Sequence, residues 1–145
     1  MKVYFAGSIR GGRDLQPLYD NLISLMQFHG HIVLSEHVGD EAIGEEGEPQ
    51  LDFGKGIFER DISWLEEADV VIAEVSVPSL GVGFEICYAQ KVLAKPTLCL
   101  ANHDNVSAMI LGNNDLAYLR YRSEGEAHRK VLKFLRFHER KGQTK

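Results

Sequence analysis

A chain of 145 residues, 44% hydrophobic and 26% charged, can bury one core but is too short for two domains of ordinary size. Those proportions exclude a disordered or fibrous chain, and no apolar run approaches the roughly 20 residues of a membrane helix, which points to a cytoplasmic enzyme or binding protein. The net charge of −5 is local, since six acidic side chains between positions 39 and 56, set against Lys55, account for it.

Short apolar runs alternate with helical patterns, the arrangement of parallel strands joined by right-handed helical crossovers. Residues 3–6 (VYFA) read as a first strand, and the glycine-rich GSIRGGR (7–13) as a tight loop after it. Leu15, Leu18, Leu22 and Leu25/Met26 then repeat at helical spacing up to Gly30, a C-terminal cap. Residues 31–34 form a second strand, and the acidic stretch 39–56 a surface loop or partly ordered lid. A helix over 56–67, with Ile57, Trp64 and Leu65 candidates for burial, precedes VVIAE (70–74), a β-branched run expected at the centre of the sheet.

The turn over 75–85 leads into a helix ending near Leu93. Residues 97–100 and 117–121 supply the last two strands. A closing helix over 124–140 turns Ala127, Val131, Leu132 and Leu135 inward. Arg120 to Lys145 holds nine Lys or Arg against three Glu, but most fall on that helix's outer face, so solvation is favoured over nucleic-acid binding. Cys87 and Cys99 lie in apolar segments without ligand spacing and are expected to be buried thiols. The fold class is α/β: a flavodoxin-like (Rossmann-like) five-stranded parallel sheet with helices on both faces, in one domain. Such a sheet binds ligands beyond the strands' carboxyl ends where strand order reverses, here between the loops after strands one and three.

Three segments can carry chemistry. Gly7, Ser8, Ile9, Arg10, Gly11 and Gly12 would let the backbone approach an anion, with Ser8 and Arg10 as added donors. The segment is neither a Walker loop nor a dinucleotide fingerprint, and a plain turn can have the same composition. In PSLGVGFE (78–85), Ser79 can cap a helix and touch a ligand, while Gly81 and Gly83 clear space before Glu85. Glu85 is then either a poorly solvated carboxylate fit to act as nucleophile or raised-pKa acid, or an exposed first-turn residue favoured by the helix dipole. Asp61 is either solvated, or paired with a neighbour such as Arg60 or Lys55, or faces Glu85 across a bound sugar, and two such carboxylates are the minimal kit for glycosidic cleavage. The six histidines show no ligand spacing, so no metal and no cofactor is expected.

Taken together, VYFAGSIRGGR, FERDISWLEEADVVIAEVSVPSLGVGFE and the SAMI stretch from Ser107 resemble the 2′-deoxynucleoside 5′-phosphate N-hydrolases of the nucleoside 2-deoxyribosyltransferase-like superfamily. The likeness runs from Val3 to roughly Gly112. It implies Glu85 as nucleophile, Asp61 as acid/base and Tyr4 as an active-site tyrosine. It places Ser8, Ile9, Arg10, Gly11 and Gly12 around the nucleotide phosphate, with Ser79 as second anchor. Ser107 matches a serine contributed by a neighbouring subunit, which implies a homodimer with shared sites; Gly7, Gly81, Gly83, Met109 and His37 complete the expected substrate pocket. The chain departs from the family pattern at Leu111, where a basic residue is common. The variable acidic segment leaves base selectivity open, because it and His37 would lie toward the nucleobase.

The implied reaction is attack of Glu85 on C1′ of a deoxynucleoside monophosphate, followed by hydrolysis of the glycosyl ester with Asp61 as base. Transfer to another base, cleavage of ribonucleotides such as cytidine monophosphate, and a nucleotide sensor without turnover are the rival readings. A carboxylate pair has little purpose in the sensor.

Overall fold

The computed structural model describes residues 1–48 and 54–142, with residues 141–142 described by their backbone alone. Five strands, β1 (Lys2–Ala6), β2 (Ile32–Val33), β3 (Val70–Glu74), β4 (Thr97–Ala101) and β5 (Ala117–Arg120), form one sheet in the order β2-β1-β3-β4-β5. Every pairing is parallel, with Tyr4 opposite Val71 and Ile72 opposite Leu98. The helices are α1 (Gln16–Phe28), α2 (Lys55–Glu67), α3 (Leu80–Cys87), α4 (Ala108–Leu111) and α5 (Glu124–Gly142).

Alternation along the strands divides the core between the two faces of the sheet. Val3, Phe5, Val70, Ile72, Leu98 and Leu100 pack with α1 and α5, through Tyr19, Leu22, Met26, Val131 and Leu135 among others. Tyr4, Ala6, Val71, Ala73 and Cys99 point the other way, onto Leu65 of α2 and Val82 and Ile86 of α3. All five residues of β3 are buried, as expected of a central strand covered on both sides. At about 1.5–3 kcal/mol for each fully buried large aliphatic side chain, these two layers dominate the favourable side of folding.

Several elements differ from expectation. The second strand is only two residues long, because it sits at the edge and pairs with β1 alone. The helix after β3 is α-helical only to Cys87 and continues as a π-helical turn over Tyr88–Val92. The α4 turn was not anticipated, and Ile57, Trp64 and Leu132 are only partly buried. Cys99 is buried as expected, but Cys87 is exposed. The stripe of α3 facing the sheet runs through Val82 and Ile86, and the next residue after Ile86 turns about 100° away from it. Of the acidic stretch, residues 49–53 lie outside the described residues. Among the described residues no helix is long and apolar enough to cross a membrane.

Strand order reverses between β1 and β3, so the loops that follow them meet. The contact is tight: a Cβ on Gly11 would lie 2.5 Å from the Pro78 carbonyl oxygen and 2.6 Å from Ser8 Oγ. Only glycine fits there. Gly12, with φ +133°, completes the turn in a conformation that L side chains rarely adopt.

Candidate active site

A cleft of about 520 Å³ opens at that junction, lined by Tyr4, Asp61 and Glu85, by Gly7, Ile9, Arg10 and Gly11, by Ser79 and Gly81, and by His37 and Glu48. Tyr4 is buried in the middle of β1 and donates through Oη to Glu85 Oε1 at 2.9 Å. Burial pushes the Glu85 carboxyl up to about 7, against the Tyr4 hydrogen bond, and the negative charge of Asp61 adds to the rise. Tyr4 is itself driven far above the ordinary phenol value, chiefly by burial and then by Glu85, so it remains a neutral donor. Glu85 is the poorly solvated carboxylate, not the exposed first-turn residue.

Asp61 lies on α2 and shares the cleft. Arg60 grips it, with Nε 2.9 Å and Nη2 2.8 Å from Asp61 Oδ1. Arg60 also forks onto Glu48, Nη1 to Oε1 at 2.6 Å and Nη2 to Oε2 at 2.7 Å, and its guanidinium stacks over Trp64, 4.5 Å from the ring centroid. Burial nevertheless raises Asp61 above its usual range, with Arg60 opposing. His37 Nε2 lies 3.5 Å from Glu48 Oε2 and 3.3 Å from Arg60 Nη2, and burial lowers its pKa. Of the two partners considered for Asp61, Arg60 is the one present, while Lys55 pairs with Glu59.

At the other end, Ser79 caps α3 by accepting from the Val82 amide at 3.4 Å, and still lines the cleft. Ser8 is fully buried rather than on the cleft wall, and its Oγ has no hydrogen-bond partner among the described residues. Gly12 also lies off the wall. Gly81 and Gly83 do not relieve crowding within the chain: a Cβ on Gly81 meets only Ser79 Oγ at 3.8 Å, and one on Gly83 meets nothing within 4 Å.

Ser107, Met109 and Gly83 line a neighbouring, largely apolar cavity of about 620 Å³, which shares Ser79, Leu80 and Val82 with the cleft. Ser107 there caps α4, accepting from the Met109 amide at 3.3 Å. Sequence reasoning missed Glu48 and, as more than a pairing partner, Arg60. Both lie in charged stretches that read as solvated, and only the fold brings residues 48 and 60 together. Among the described residues no group of three or more His, Cys, Asp or Glu is placed to hold a metal ion.

A family model described as nucleoside 2-deoxyribosyltransferase matches residues 3–127. A protein of Methanococcoides burtonii, provisionally named a 2′-deoxynucleoside 5′-phosphate N-hydrolase, is 47% identical over 114 residues, covering 78% of this chain and 91% of its own length. The 5-hydroxymethyl-dUMP N-hydrolase of Mus musculus is 48% identical over 116 residues, covering 78% of this chain and 66% of its own. Among solved structures, the CMP N-glycosidase of Clostridium botulinum superposes with a TM-score of 0.65 at 21% identity, over 90% of this chain and 98% of that one, a likeness of fold. The sheet order, the cleft at its switch point and the match along nearly the whole described chain agree: the chain belongs to the nucleoside 2-deoxyribosyltransferase family.

Proposed function

We propose that this chain hydrolyses the N-glycosidic bond of 2′-deoxynucleoside 5′-monophosphates, releasing the free base and 2-deoxyribose 5-phosphate. The observation that carries the reading is a desolvated Glu85, oriented by Tyr4, in one cleft with Asp61 and with the glycine-rich loop at its far end. The names of the relatives support the substrate class.

Glu85, ionised, attacks C1′ as the C1′–N bond breaks and its electron pair leaves with the base. Asp61, directly or through a water, supplies the proton the base requires. A glutamyl ester remains. Asp61 then takes a proton from water, whose oxygen attacks C1′, freeing Glu85 and the sugar phosphate with overall retention. Ser79, Arg10 and the loop amides hold the phosphate. That remote contact fixes C1′ against Glu85, a positioning effect worth up to roughly 7–11 kcal/mol. The transition state is oxocarbenium-like, and absence of the electron-withdrawing 2′-hydroxyl makes deoxynucleotides the easier substrates. Apolar atoms packed against C2′ would reject the ribose by only ~10²-fold, so selectivity over ribonucleotides is finite.

The working form is a homodimer in which a second copy brings its Ser107 to the cleft. Leu80 and Met109, 97% and 82% exposed, flank the apolar cavity beside the cleft, and Phe84 is half exposed next to Glu85. Exposed apolar side chains grouped beside a binding site support the reading of an interface.

The test is one panel of deoxynucleoside monophosphates, the matching deoxynucleosides and ribonucleotides, with and without an acceptor base, scored for free base. Base release fastest from the phosphorylated deoxy substrates, slower by up to ~10²-fold from ribonucleotides, and independent of acceptor, is expected. Equal turnover of deoxynucleosides refutes the phosphate anchor, and products formed only with acceptor refute hydrolysis.

A further inference from the structure

Glu74 ends β3 with its side chain fully buried, and no step above employs it. Its carboxylate accepts from Ser76 Oγ, from the Ser76 amide at 3.2 Å and from Tyr121 Oη at 3.0 Å. Ser76 Oγ accepts in turn from the Asn102 amide at 2.8 Å, and the Ser76 carbonyl meets His103 Nε2 at 3.0 Å. From α1, Tyr19 faces Glu74 closely enough for the two to interact electrostatically. The Tyr19 ring lies against Gly7, where an added Cβ would be 2.9 Å from Cε2. One carboxyl therefore links the chain after β3, β4 and β5 with the helix that supports the loop after β1.

Among the described residues Ser8 Oγ and Tyr19 Oη make no hydrogen bond of ordinary geometry, although the Ser8 backbone amide and the Glu74 carboxyl both act on the Tyr19 hydroxyl. A buried carboxylate carries the cost of desolvating its charge, and the three donors that reach Glu74 offset that cost only in part. It also lies behind a loop read as the seat of a dianion, and like charge nearby favours the neutral carboxyl.

Resting on that reading of the loop, we propose that Glu74 is a positioning residue that takes up a proton from solvent when the phosphate dianion docks, so that anion affinity falls as pH rises. Tyr19 Oη, which faces the Glu74 carboxyl, is the group placed to receive the O–H that Glu74 gains. Burial already holds Glu74 above the ordinary carboxylate range, against the pull of Ser76 and Tyr121. The titratable groups that face it are Tyr19 on α1, Tyr121 after β5 and His103 after β4.

Sulfate is the probe, being a dianion throughout the range from about pH 5 to about pH 8. It is titrated into the full chain by calorimetry in buffers of different ionisation enthalpy. Wild type should take up protons on binding, with affinity falling up to about tenfold per pH unit across the titration of Glu74. Glu74→Gln should take up fewer and flatten that profile; the pH dependence of KM for the nucleotide should flatten with it, while that of kcat keeps its shape. Tyr121→Phe removes a donor to the carboxylate and should move the midpoint to higher pH, a reading that stands if the glutamine variant does not fold. Equal proton uptake by wild type and Glu74→Gln, or an unmoved midpoint in Tyr121→Phe, overturns the role of Glu74 and leaves the phosphate site intact. Absence of sulfate binding to wild type at every pH overturns both.

Discussion

Tyr4 Oη and Glu85 Oε1 are 2.9 Å apart although 81 positions separate the two residues in sequence. The bond crosses from the central part of β1 to α3, so the register of the sheet fixes where a carboxylate on a helix points. It opposes a burial that brings Glu85 up to about 7. Attack on C1′ requires the ionised form, so kcat/KM for a deoxynucleoside monophosphate should rise with pH along a limb centred near that value. In Tyr4→Phe the limb should move to higher pH. At neutral pH the rate should fall roughly ten- to a hundredfold, the worth of a hydrogen bond to a charged group. A limb that stays in place in the pH–rate profile of that variant removes Tyr4 from the site.

The same carboxylate makes the site a stability cost. A folded-state pKa raised from 4.5 to about 7 means that the folded chain holds this proton more tightly than the unfolded one. Its contribution is full below the ordinary carboxylate value and is lost as pH rises through about 7. Glu85→Gln should be inactive yet more stable than wild type above neutrality, by up to about 3 kcal/mol, with the gain vanishing toward pH ~5. Urea denaturation at the two pH values measures it.

These two side chains also show what a sequence can and cannot disclose. The β-branched run at Val70 to Glu74 announces a central strand, because a strand covered on both faces has no polar side to show. The Gly30 cap, at φ +83°, is legible for a comparable local reason. Periodicity alone leaves Glu85 evenly balanced and favours a bland role for Asp61, since solvent exposure is decided by partners distant in the chain. Only the motif resemblance tipped them. Ser8 looked like a surface donor and is buried, because the approach of Gly11 to Pro78 closes the loop over it. Glu48 was one acid in a charged run until the fold set it against Arg60.

That Glu48–Arg60–Asp61 chain carries a separate expectation. Arg60 keeps the acidic segment against α2 and holds the pKa of Asp61 down. Arg60→Gln should raise the Asp61 pKa further, read by carboxyl carbon NMR, and should destabilise the fold by about 1–3 kcal/mol as Glu48 loses its charged partner. Arg60→Lys retains the charge without the planar fork and should restore only part of both. An unchanged Asp61 titration in the glutamine variant disproves the link.

Gly11 tests the phosphate end without touching the carboxylates. Alanine there would press its methyl carbon to 2.5 Å from the backbone oxygen of Pro78, which cannot yield as a side chain could. The two loops must part. Gly11→Ala should therefore raise KM for deoxynucleoside monophosphates far more than for deoxynucleosides, and should cost roughly 1–3 kcal/mol in stability, the usual penalty of overpacking. An equal effect on both substrates, measured side by side, would show that this junction does not seat the phosphate.

The proposed dimer makes the last expectation, and it separates assembly from chemistry. Leu80 is 97% exposed one residue beyond the Ser79 cap, on the rim shared by the cleft and the apolar cavity. A charge there meets only solvent in a monomer but would be buried and unpaired between two copies. Leu80→Asp should leave thermal stability of the isolated chain within about 0.5 kcal/mol, as surface changes do. It should nevertheless halve the mass seen by sedimentation and raise KM at least as much as loss of Ser107 does, because each cleft then lacks the second copy's Ser107. Ser107→Ala should keep the dimer mass and raise KM. Mixing that variant with a dimer-competent Glu85→Gln chain decides the geometry. If sites are shared, heterodimers combine one cleft with both defects and one with neither, so activity returns on mixing. If mixing at substrate concentrations well below the raised KM brings no gain over the two separate parents, although exchange is seen by sedimentation, Ser107 lies outside the neighbour's cleft.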